Sequence, residues 1–134
     1  MRTLLTLCLL TVSSLSLAET PQQIRQAYAA EAMASDKAFT PSAKRGENLF
    51  RQRFAINDKM PACTACHTDN PAATGKHMMT GKDIKPLAVQ ANADRFTDPA
   101  KVEKWFGRNC KEVVGRACTP GEKADFVAYA SEAR

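Results

Sequence analysis

The five residues Cys-Thr-Ala-Cys-His, from Cys63 to His67, constrain this chain more than any other part of its sequence. Two thiols separated by two residues can add to the two vinyl groups of one haem, and the histidine that follows can then bind the iron as proximal ligand. C-x-x-C-H is typical of this c-type attachment. We therefore predict one covalently bound haem c, attached through Cys63 and Cys66, with His67 as the proximal iron ligand.

Two other kinds of site also contain a Cys-x-x-Cys pair. A thioredoxin-like dithiol normally belongs to a βαβ unit, and this chain shows no such pattern. A zinc site needs a second pair of ligands, and Cys110 and Cys118 are too far apart in sequence for the usual zinc knuckle. The motif therefore favours haem over both alternatives.

The first eighteen residues, MRTLLTLCLLTVSSLSLA, are typical of a secretory signal peptide. Arg2 supplies the basic start, residues 4–12 form an apolar run, and small residues precede the expected cleavage after Ala18. A membrane anchor and a lipoprotein attached through Cys8 are the weaker alternatives. We expect export to the periplasm and a mature chain that begins at Glu19.

Export makes the remaining cysteines informative, because free thiols are unusual in an oxidising compartment. Of the five cysteines, Cys8 lies in the leader, and the other four should all be covalently engaged. The formal charge of the whole sequence is +5, too mild an excess for a nucleic-acid-binding surface. The chain beyond the leader has the length of one small domain, with no further apolar stretch long enough to cross a bilayer.

The position of the motif predicts an all-α, class I cytochrome c-like fold around one covalently bound haem. In that arrangement the motif follows a first helix and precedes a C-terminal helix, whereas four-helix-bundle cytochromes carry it near the C-terminus. The first helix is predicted from Thr40. A glycine inside a helix lowers its stability by about 1 kcal/mol relative to alanine. Gly46 is therefore expected to be the point where the last helix approaches closely. The last helix is predicted from Thr119, with Thr119 and Glu122 forming a capping box.

A further helix, over residues 21–35 with Ile24 and Tyr28 facing inward, precedes this pair. The predicted organisation is a signal peptide over residues 1–18, an N-terminal helical extension over residues 19–39 and a cytochrome c domain over residues 40–134.

Another helix is predicted after Asp98, which can cap it, with proline fitting its first turn. The pattern places Asn109 on the same face as three apolar residues, Val102, Trp105 and Phe106. A buried amide without a partner costs roughly 1–3 kcal/mol. We therefore predict that Asn109 points inward and that Asn109 and Trp105 face the haem.

The sixth coordination position of the iron has no obvious occupant. An ordinary class I electron carrier supplies a methionine well beyond the haem histidine, but no methionine follows Met79 and no histidine follows His77. Asn109 lies where such a ligand is expected. Its alternative role is to cap the C-terminus of its own helix, which asparagine does well.

A longer stretch around this helix resembles a known family. Residues 80–126, TGKDIKPLAVQANADRFTDPAKVEKWFGRNCKEVVGRACTPGEKADF, are similar to the sphaeroides haem protein family of class I cytochromes. The segments DRFTDPAKVEKWFGRNC and GRACTPGEK carry most of the specificity, and the likeness covers the chain from about Pro21. The chain departs from the family pattern at residues 77–79, His-Met-Met, where relatives have a plainer polar segment.

The resemblance implies roles for the residues around Asn109. In the family an asparagine is the distal ligand of the oxidised iron, and Asn109 is similar to it in placement. A disulfide next to that ligand corresponds here to Cys110 with Cys118. Family members are exported, take electrons from a dihaem cytochrome c that is served by a membrane cytochrome b, and bind small diatomic ligands once reduced.

Five basic residues surround the expected distal side: Lys101, Lys104, Arg108, Lys111 and Arg116. Charged helix faces are often only solvated, but such a cluster can also steer an acidic cytochrome partner.

Three functions of different classes remain. The chain could be a haem protein with a switchable sixth site that accepts electrons and binds oxygen or nitric oxide once Asn109 has left the ferrous iron. It could be a plain one-electron carrier with His77, Met78 or Met79 as permanent ligand, or an enzyme that turns over a small molecule. Because no general acid such as histidine lies near Asn109 in the sequence, the third lacks an evident catalyst. We expect the first.

Overall fold

The computed structural model describes residues 18–134, so the predicted signal peptide, apart from Ala18, lies outside the described residues. The described part of the chain is mostly helical, which confirms the all-α class, and its single hairpin pairs Gly75 with Ile84 and Lys76 with Asp83. Within this part of the chain, every helix is too short or too polar to span a membrane. The elements are α1 (Pro21–Ala32), α2 (Ala43–Arg51), α3 (Thr64–His67), β1 (Gly75–Lys76), β2 (Asp83–Ile84), α4 (Pro99–Val113) and α5 (Pro120–Glu132).

Polar side chains start the three longest helices, as the sequence predicted for two of them. Before α5, Thr119 accepts a hydrogen bond from the backbone N–H of Glu122 at 3.2 Å, and the Glu122 carboxylate accepts one from the N–H of Thr119 at 2.8 Å. Before α4, Asp98 accepts from the N–H of Lys101 at 3.0 Å. Helix α1 has the same capping box at Thr20. Each cap pairs donors that the first helical turn leaves unsatisfied.

Helix α2 begins later than predicted. It begins after Ser42 rather than at Thr40, because the Ser42 side chain caps it and the Ser42 N–H donates to Asp125 of α5 at 2.6 Å. It ends at Arg51, and the chain then turns so that the N–H of Phe54 donates to the carbonyl of Pro61 at 2.7 Å. Contacts with other segments thus decide both boundaries.

Helices α2 and α5 touch through their backbones at Gly46, which confirms the predicted close approach. A Cβ at this position would lie 2.0 Å from the carbonyl oxygen of Asp125. The adjacent Arg45 donates to both carboxylate oxygens of Asp125, at 2.7 and 2.9 Å. Since Asp125 is only 5% exposed, the ion pair supplies the hydrogen bonds that its buried charge requires.

Helix α1 packs on α5 with Ile24 and Tyr28 buried, as predicted, although it ends at Ala32 rather than at residue 35. The Tyr28 hydroxyl donates to Glu103 of α4 at 2.8 Å, and Lys123 of α5 donates to the same carboxylate at 2.7 Å. Helix α1 therefore shares the core of the other helices. The division of the chain after residue 39 stays a prediction.

A row of aromatic rings crosses the core from the motif to α4. Phe50, which is fully buried, has its ring centroid 6.5 Å from that of His67 and 6.2 Å from that of Phe126. The Phe126 ring lies 5.6 Å from Phe106, and the Phe106 ring lies 5.8 Å from Tyr28. This packing fixes α4 relative to the histidine of the motif.

Replacing Gly46 with alanine should force α2 and α5 apart, because the added methyl group would overlap the Asp125 carbonyl. We expect the free energy of unfolding in urea to fall by about 1–3 kcal/mol or more. Gly107 is the matched control: it is also in a helix, but a Cβ there meets no atom within 4 Å. Gly107→Ala should leave the stability unchanged or raise it by up to about 1 kcal/mol. Equal stabilities of Gly46→Ala and the wild type would contradict the contact.

Candidate haem site

The two cysteines of the motif lie on one helical turn. Cys63 precedes α3, and its carbonyl accepts hydrogen bonds from the N–H groups of Cys66 and His67, at 3.3 and 3.1 Å. Both thiols are free and partly buried. Burial raises the pKa of the Cys63 thiol to about 11, so the thiol is protonated at neutral pH. This opposes a thioredoxin-like dithiol, whose reactive cysteine has a lowered pKa.

The hairpin supports this turn through Gly75. A Cβ at Gly75 would lie 2.1 Å from the carbonyl oxygen of Cys66 and 3.1 Å from the Cα of His67. No side chain larger than hydrogen fits between β1 and α3 in this arrangement. The hairpin therefore packs directly on the backbone of the motif.

His67 presents an imidazole in the protonation state that binds metals. Burial, and secondarily the guanidinium of Arg95, lower its pKa to about 4, so the ring is neutral at pH 7. Its side chain takes part in no hydrogen bond among residues 18–134, and its ring is inclined by 49° to the ring of Phe50. Two free thiols on one turn and a neutral imidazole beside them are the donor set that a haem c requires, so these residues fit the group.

Helix α4 packs on the polypeptide core through a face that does not include Asn109. Its buried stripe consists of Val102, Phe106, Cys110 and Val113. Trp105 and Asn109, four residues apart and thus on one face, lie beside this stripe; Asn109 is exposed and Trp105 is 42% exposed. Asn109 lies outside this stripe because the four buried residues, which follow one another at intervals of four, four and three, already form a continuous face towards the core. The roles of both residues towards the haem stay predictions.

The structure also removes the capping role considered for Asn109. Helix α4 continues to Val113 and is ended by Gly115, whose φ of 82° is the left-handed conformation common at helix C-termini. The Gly115 N–H donates to the carbonyl of Cys110 at 3.1 Å. The carboxamide of Asn109 makes no hydrogen bond within the described part of the chain. Asn109 is therefore neither a cap nor a core residue.

A disulfide follows Asn109 directly. It joins Cys110 of α4 to Cys118, the residue before the cap of α5, with 5.6 Å between their Cα atoms. Both cysteines are buried in the core. Closing so short a loop contributes about 2–3 kcal/mol in the chain-entropy model. Because this pair is oxidised, it cannot complete a zinc site with Cys63 and Cys66.

Comparison with known proteins identifies the family. A family model described as a domain of unknown function, DUF1924, matches residues 36–130. The chain is 46% identical to the cytochrome c-type protein SHP of Cereibacter sphaeroides over 81% of both chains. It is 47% identical to cytochrome c'' of Methylophilus methylotrophus over 66% of this chain and 62% of that protein. The chain therefore spans about three fifths of the length of cytochrome c''.

Two solved structures are similar in fold. One is oxidised SHP, described as an oxygen-binding cytochrome c, with a TM-score of 0.77 and 43% identity over 85% of this chain and 97% of that chain. The other is oxidised cytochrome c'' of Methylophilus methylotrophus, with a TM-score of 0.75 and 36% identity over 85% and 94% of the two chains. The chain belongs to the sphaeroides haem protein family. Membership in a family of c-type cytochromes confirms the expected cofactor, a covalently bound haem c.

The segment His77 to Met79 lies in the turn between β1 and β2. Nδ1 of His77 accepts hydrogen bonds from the N–H groups of Met79 and Thr80, at 3.2 and 3.3 Å. Met78 and Met79 are each 54% exposed. Because Gly75 packs the hairpin onto α3, the turn is tethered to the motif side of the molecule.

The five basic residues expected near the distal side of the haem are all exposed. Two of them form ion pairs within the chain. Arg108 donates to Glu112 at 3.0 Å and lies over the ring of Trp105, 5.8 Å from its centroid. Arg116 pairs with Glu122 at 2.6 Å. Among residues 18–134, the remaining three form no ion pair: Lys101, Lys104 and Lys111.

Sequence reasoning missed two residues of the site. Gly75 could not be found, because an isolated glycine after the motif carries no periodic signal. Arg95 was missed because nothing in its neighbourhood marks a buried cation, although its guanidinium lies close enough to lower the pKa of His67.

Removing the thiols of the motif should abolish covalent haem attachment. In the double variant Cys63→Ala/Cys66→Ala, the mass of the denatured polypeptide should lack the mass of one haem, because no thioether can form. The matched control is Cys110→Ala/Cys118→Ala, which removes the two disulfide cysteines and should keep the haem. A haem adduct in the denatured Cys63→Ala/Cys66→Ala chain would show that other residues hold the cofactor.

Proposed function

We propose that this chain is an exported monohaem cytochrome of the periplasm that accepts electrons from a partner cytochrome and binds small diatomic ligands, oxygen or nitric oxide, in its ferrous state. The haem is attached to Cys63 and Cys66, with His67 as proximal ligand and Asn109 as the distal ligand of the ferric form. The observation that carries the proposal is an exposed, unbonded carboxamide beside an exposed tryptophan on α4, in a cytochrome without a methionine after Met79.

The chemistry of a carboxamide suits a ligand that must leave. A bound haem would supply one iron that takes up a single electron and could bind a further ligand besides His67. The amide oxygen of Asn109 is a neutral and weak donor, which a ferric ion tolerates and a softer ferrous ion holds poorly. Reduction would therefore release Asn109, and no backbone group or side chain among the described residues competes for its carboxamide.

The surroundings of Asn109 are rigid enough to return it after each cycle. Phe106, one turn before it, packs against Tyr28 and Phe126, and the disulfide at Cys110 fixes the helix immediately after it. Movement of the ligand then needs only rotation of one side chain. This favours a reversible switch of the amide over a displacement of the whole helix.

The relatives support a ligand-binding role. SHP is described as an oxygen-binding cytochrome c, and cytochrome c'' has been studied in solution for haem-ligand detachment. The solution structure of cytochrome c'' has a TM-score of 0.71 to this chain and 39% identity. Oxygen binding and detachment of a ligand are properties of those proteins, and we extend them to this chain as part of the proposal.

A plain one-electron carrier is the second candidate function. It is supported by the exposure of Met78 and Met79, since an exposed thioether could reach an iron without first breaking a packing contact. Against it, the hydrogen bonds of His77 and the contact of Gly75 hold the turn on the motif side. We propose no catalysed reaction for either candidate.

Replacing Asn109 with alanine should change the absorption spectrum of the ferric protein, because the distal ligand is lost. The ferrous protein should still bind carbon monoxide, since Asn109 has already left in that state. Asn48→Ala is the matched control, because Asn48 is also exposed on a helix and makes no side-chain hydrogen bond among residues 18–134. Asn48→Ala should leave both spectra unchanged.

Two results would count against this assignment. A ferric spectrum of Asn109→Ala identical to that of the wild type would remove Asn109 as ligand. A low-spin wild-type spectrum in both oxidation states, with no response to carbon monoxide and with loss of that spectrum in Met78→Ala/Met79→Ala, would establish the plain carrier instead.

The electron donor in this proposal is a dihaem c-type cytochrome, itself reduced by a membrane cytochrome b, that docks on the basic face of α4. Lys101, Lys104 and Lys111 are exposed and unpaired among the described residues, so their charges are available to an acidic surface. Opposite charges on two partners raise the association rate most at low salt, where screening is weak.

Neutralising these three lysines as Lys101→Gln/Lys104→Gln/Lys111→Gln should slow reduction by an acidic dihaem cytochrome c at low ionic strength and flatten the salt dependence, measured by stopped flow. The control variant Lys37→Gln/Lys59→Gln/Lys82→Gln removes the same charge from exposed lysines elsewhere. It should retain most of the rate and its salt dependence. Equal effects of the two triple variants would show that net charge acts, and not this face.

A further inference from the structure

Arg95 is a half-buried cation with no carboxylate partner among the described residues. It lies in the loop before α4, where its Nε donates to the carbonyl of Pro86 at 2.8 Å and its Nη2 donates to the carbonyl of Lys85. It forms no ion pair with any residue from 18 to 134. Burial lowers the pKa of Arg95, but a guanidinium keeps its charge at neutral pH. The fold therefore holds a positive charge that its own acidic residues leave uncompensated.

This charge lies on the side of the molecule that carries the motif. The segment after Pro86 is tied to the stretch that follows the motif, because the N–H groups of Leu87 and Ala88 both donate to the carbonyl of Pro71 at 2.8 Å. Pro71 is only four residues beyond His67. Arg95 is thus anchored to the loop that packs beside the proximal histidine.

The backbone next to Arg95 is held in an unusual conformation. Phe96 has a φ of 56° although it is a bulky residue, and its side chain is buried in the core. Such a conformation costs on the order of 1–3 kcal/mol and persists only where the surroundings determine it. Burial of Phe96 therefore fixes the backbone next to Arg95, and with it the direction in which the Arg95 side chain extends.

We propose that Arg95 binds a propionate of the haem and that its charge favours the reduced state of the iron. This inference rests on the haem attachment proposed above. Haem carries two carboxylates, and a guanidinium has five N–H donors, of which the two carbonyl groups use two. Charge-assisted bonds to a carboxylate are the strongest that these remaining donors can make. Because reduction adds a negative charge, a fixed cation nearby stabilises the reduced form.

The alternative is that Arg95 only holds its loop in place through the two carbonyl groups. The variants Arg95→Gln and Arg95→Lys separate the roles, because glutamine removes the charge whereas lysine keeps it but cannot reproduce the paired donors of the guanidinium. Arg25→Gln is the charge control: Arg25 lies on α1 and forms no ion pair in the described chain. All variants are compared as holoproteins by redox titration and by unfolding in urea.

In Arg95→Gln, the ratio of reduced to oxidised protein at a fixed applied potential should fall about tenfold, which is a 59 mV decrease in midpoint potential for one electron. Arg95→Lys and Arg25→Gln should stay within about threefold of the wild type, the first because the charge remains and the second because solvent screens it.

A loop-holding role alone predicts that Arg95→Gln and Arg95→Lys lose stability equally and keep the wild-type potential. That result, with haem still covalently attached, would overturn the inference without touching the proposed function. If Arg95→Gln does not fold, Arg95→His decides, because an imidazole loses its charge as the pH rises through about 6.5. A midpoint potential that falls relative to the wild type over this pH range supports the charge role, and a difference from the wild type that stays constant with pH contradicts it. Loss of covalent haem from Cys63→Ala/Cys66→Ala tests the proposed attachment separately.

Discussion

The contact between the backbones of α2 and α5 at Gly46 is the constraint on which the rest of the structure depends. It leaves no room for a Cβ beside the Asp125 carbonyl, and the ion pair of Arg45 with the Asp125 side chain closes the same crossing. Only with the helices this close can Phe50 reach both α5 and His67. The helix crossing therefore positions the proximal histidine, although it contains no residue of the haem site.

The haem site is then formed by the hairpin, which packs on the motif, and by α4 at the other end of the row of aromatic rings. Gly75 sets the hairpin on the backbone of the motif, and Phe106 sets α4 on the opposite end of the aromatic row. The disulfide at Cys110 prevents the end of α4 from separating from α5. In the proposed function, Asn109 would bind and leave the iron by rotation of its side chain, because the elements that carry it do not need to move.

Most helices could be predicted from the sequence because their signals are local. The capping box at Thr119, the cap at Asp98 and the spacing of Ile24 and Tyr28 depend on neighbours within one or two turns. The start of α2 was predicted wrongly because it depends on a distant partner, Asp125. Which part of the α4 surface the polypeptide core covers also depends on distant segments. An apolar spacing of three and four residues shows that a face exists, but it does not tell which edge of that face meets the core.

The sequence by itself determined the cofactor chemistry: C-x-x-C-H specifies a covalent haem, and the absence of methionine after Met79 is the basis for proposing Asn109 as the distal donor. These conclusions need only the identity and order of residues, because thioether formation and ligand strength are properties of side chains. The tertiary structure decided where the charged side chains lie and which helix faces are buried. It exposed Asn109 beside Trp105 and placed Arg95 beside the loop of the proximal histidine, because burial is the result of packing between segments far apart in the chain.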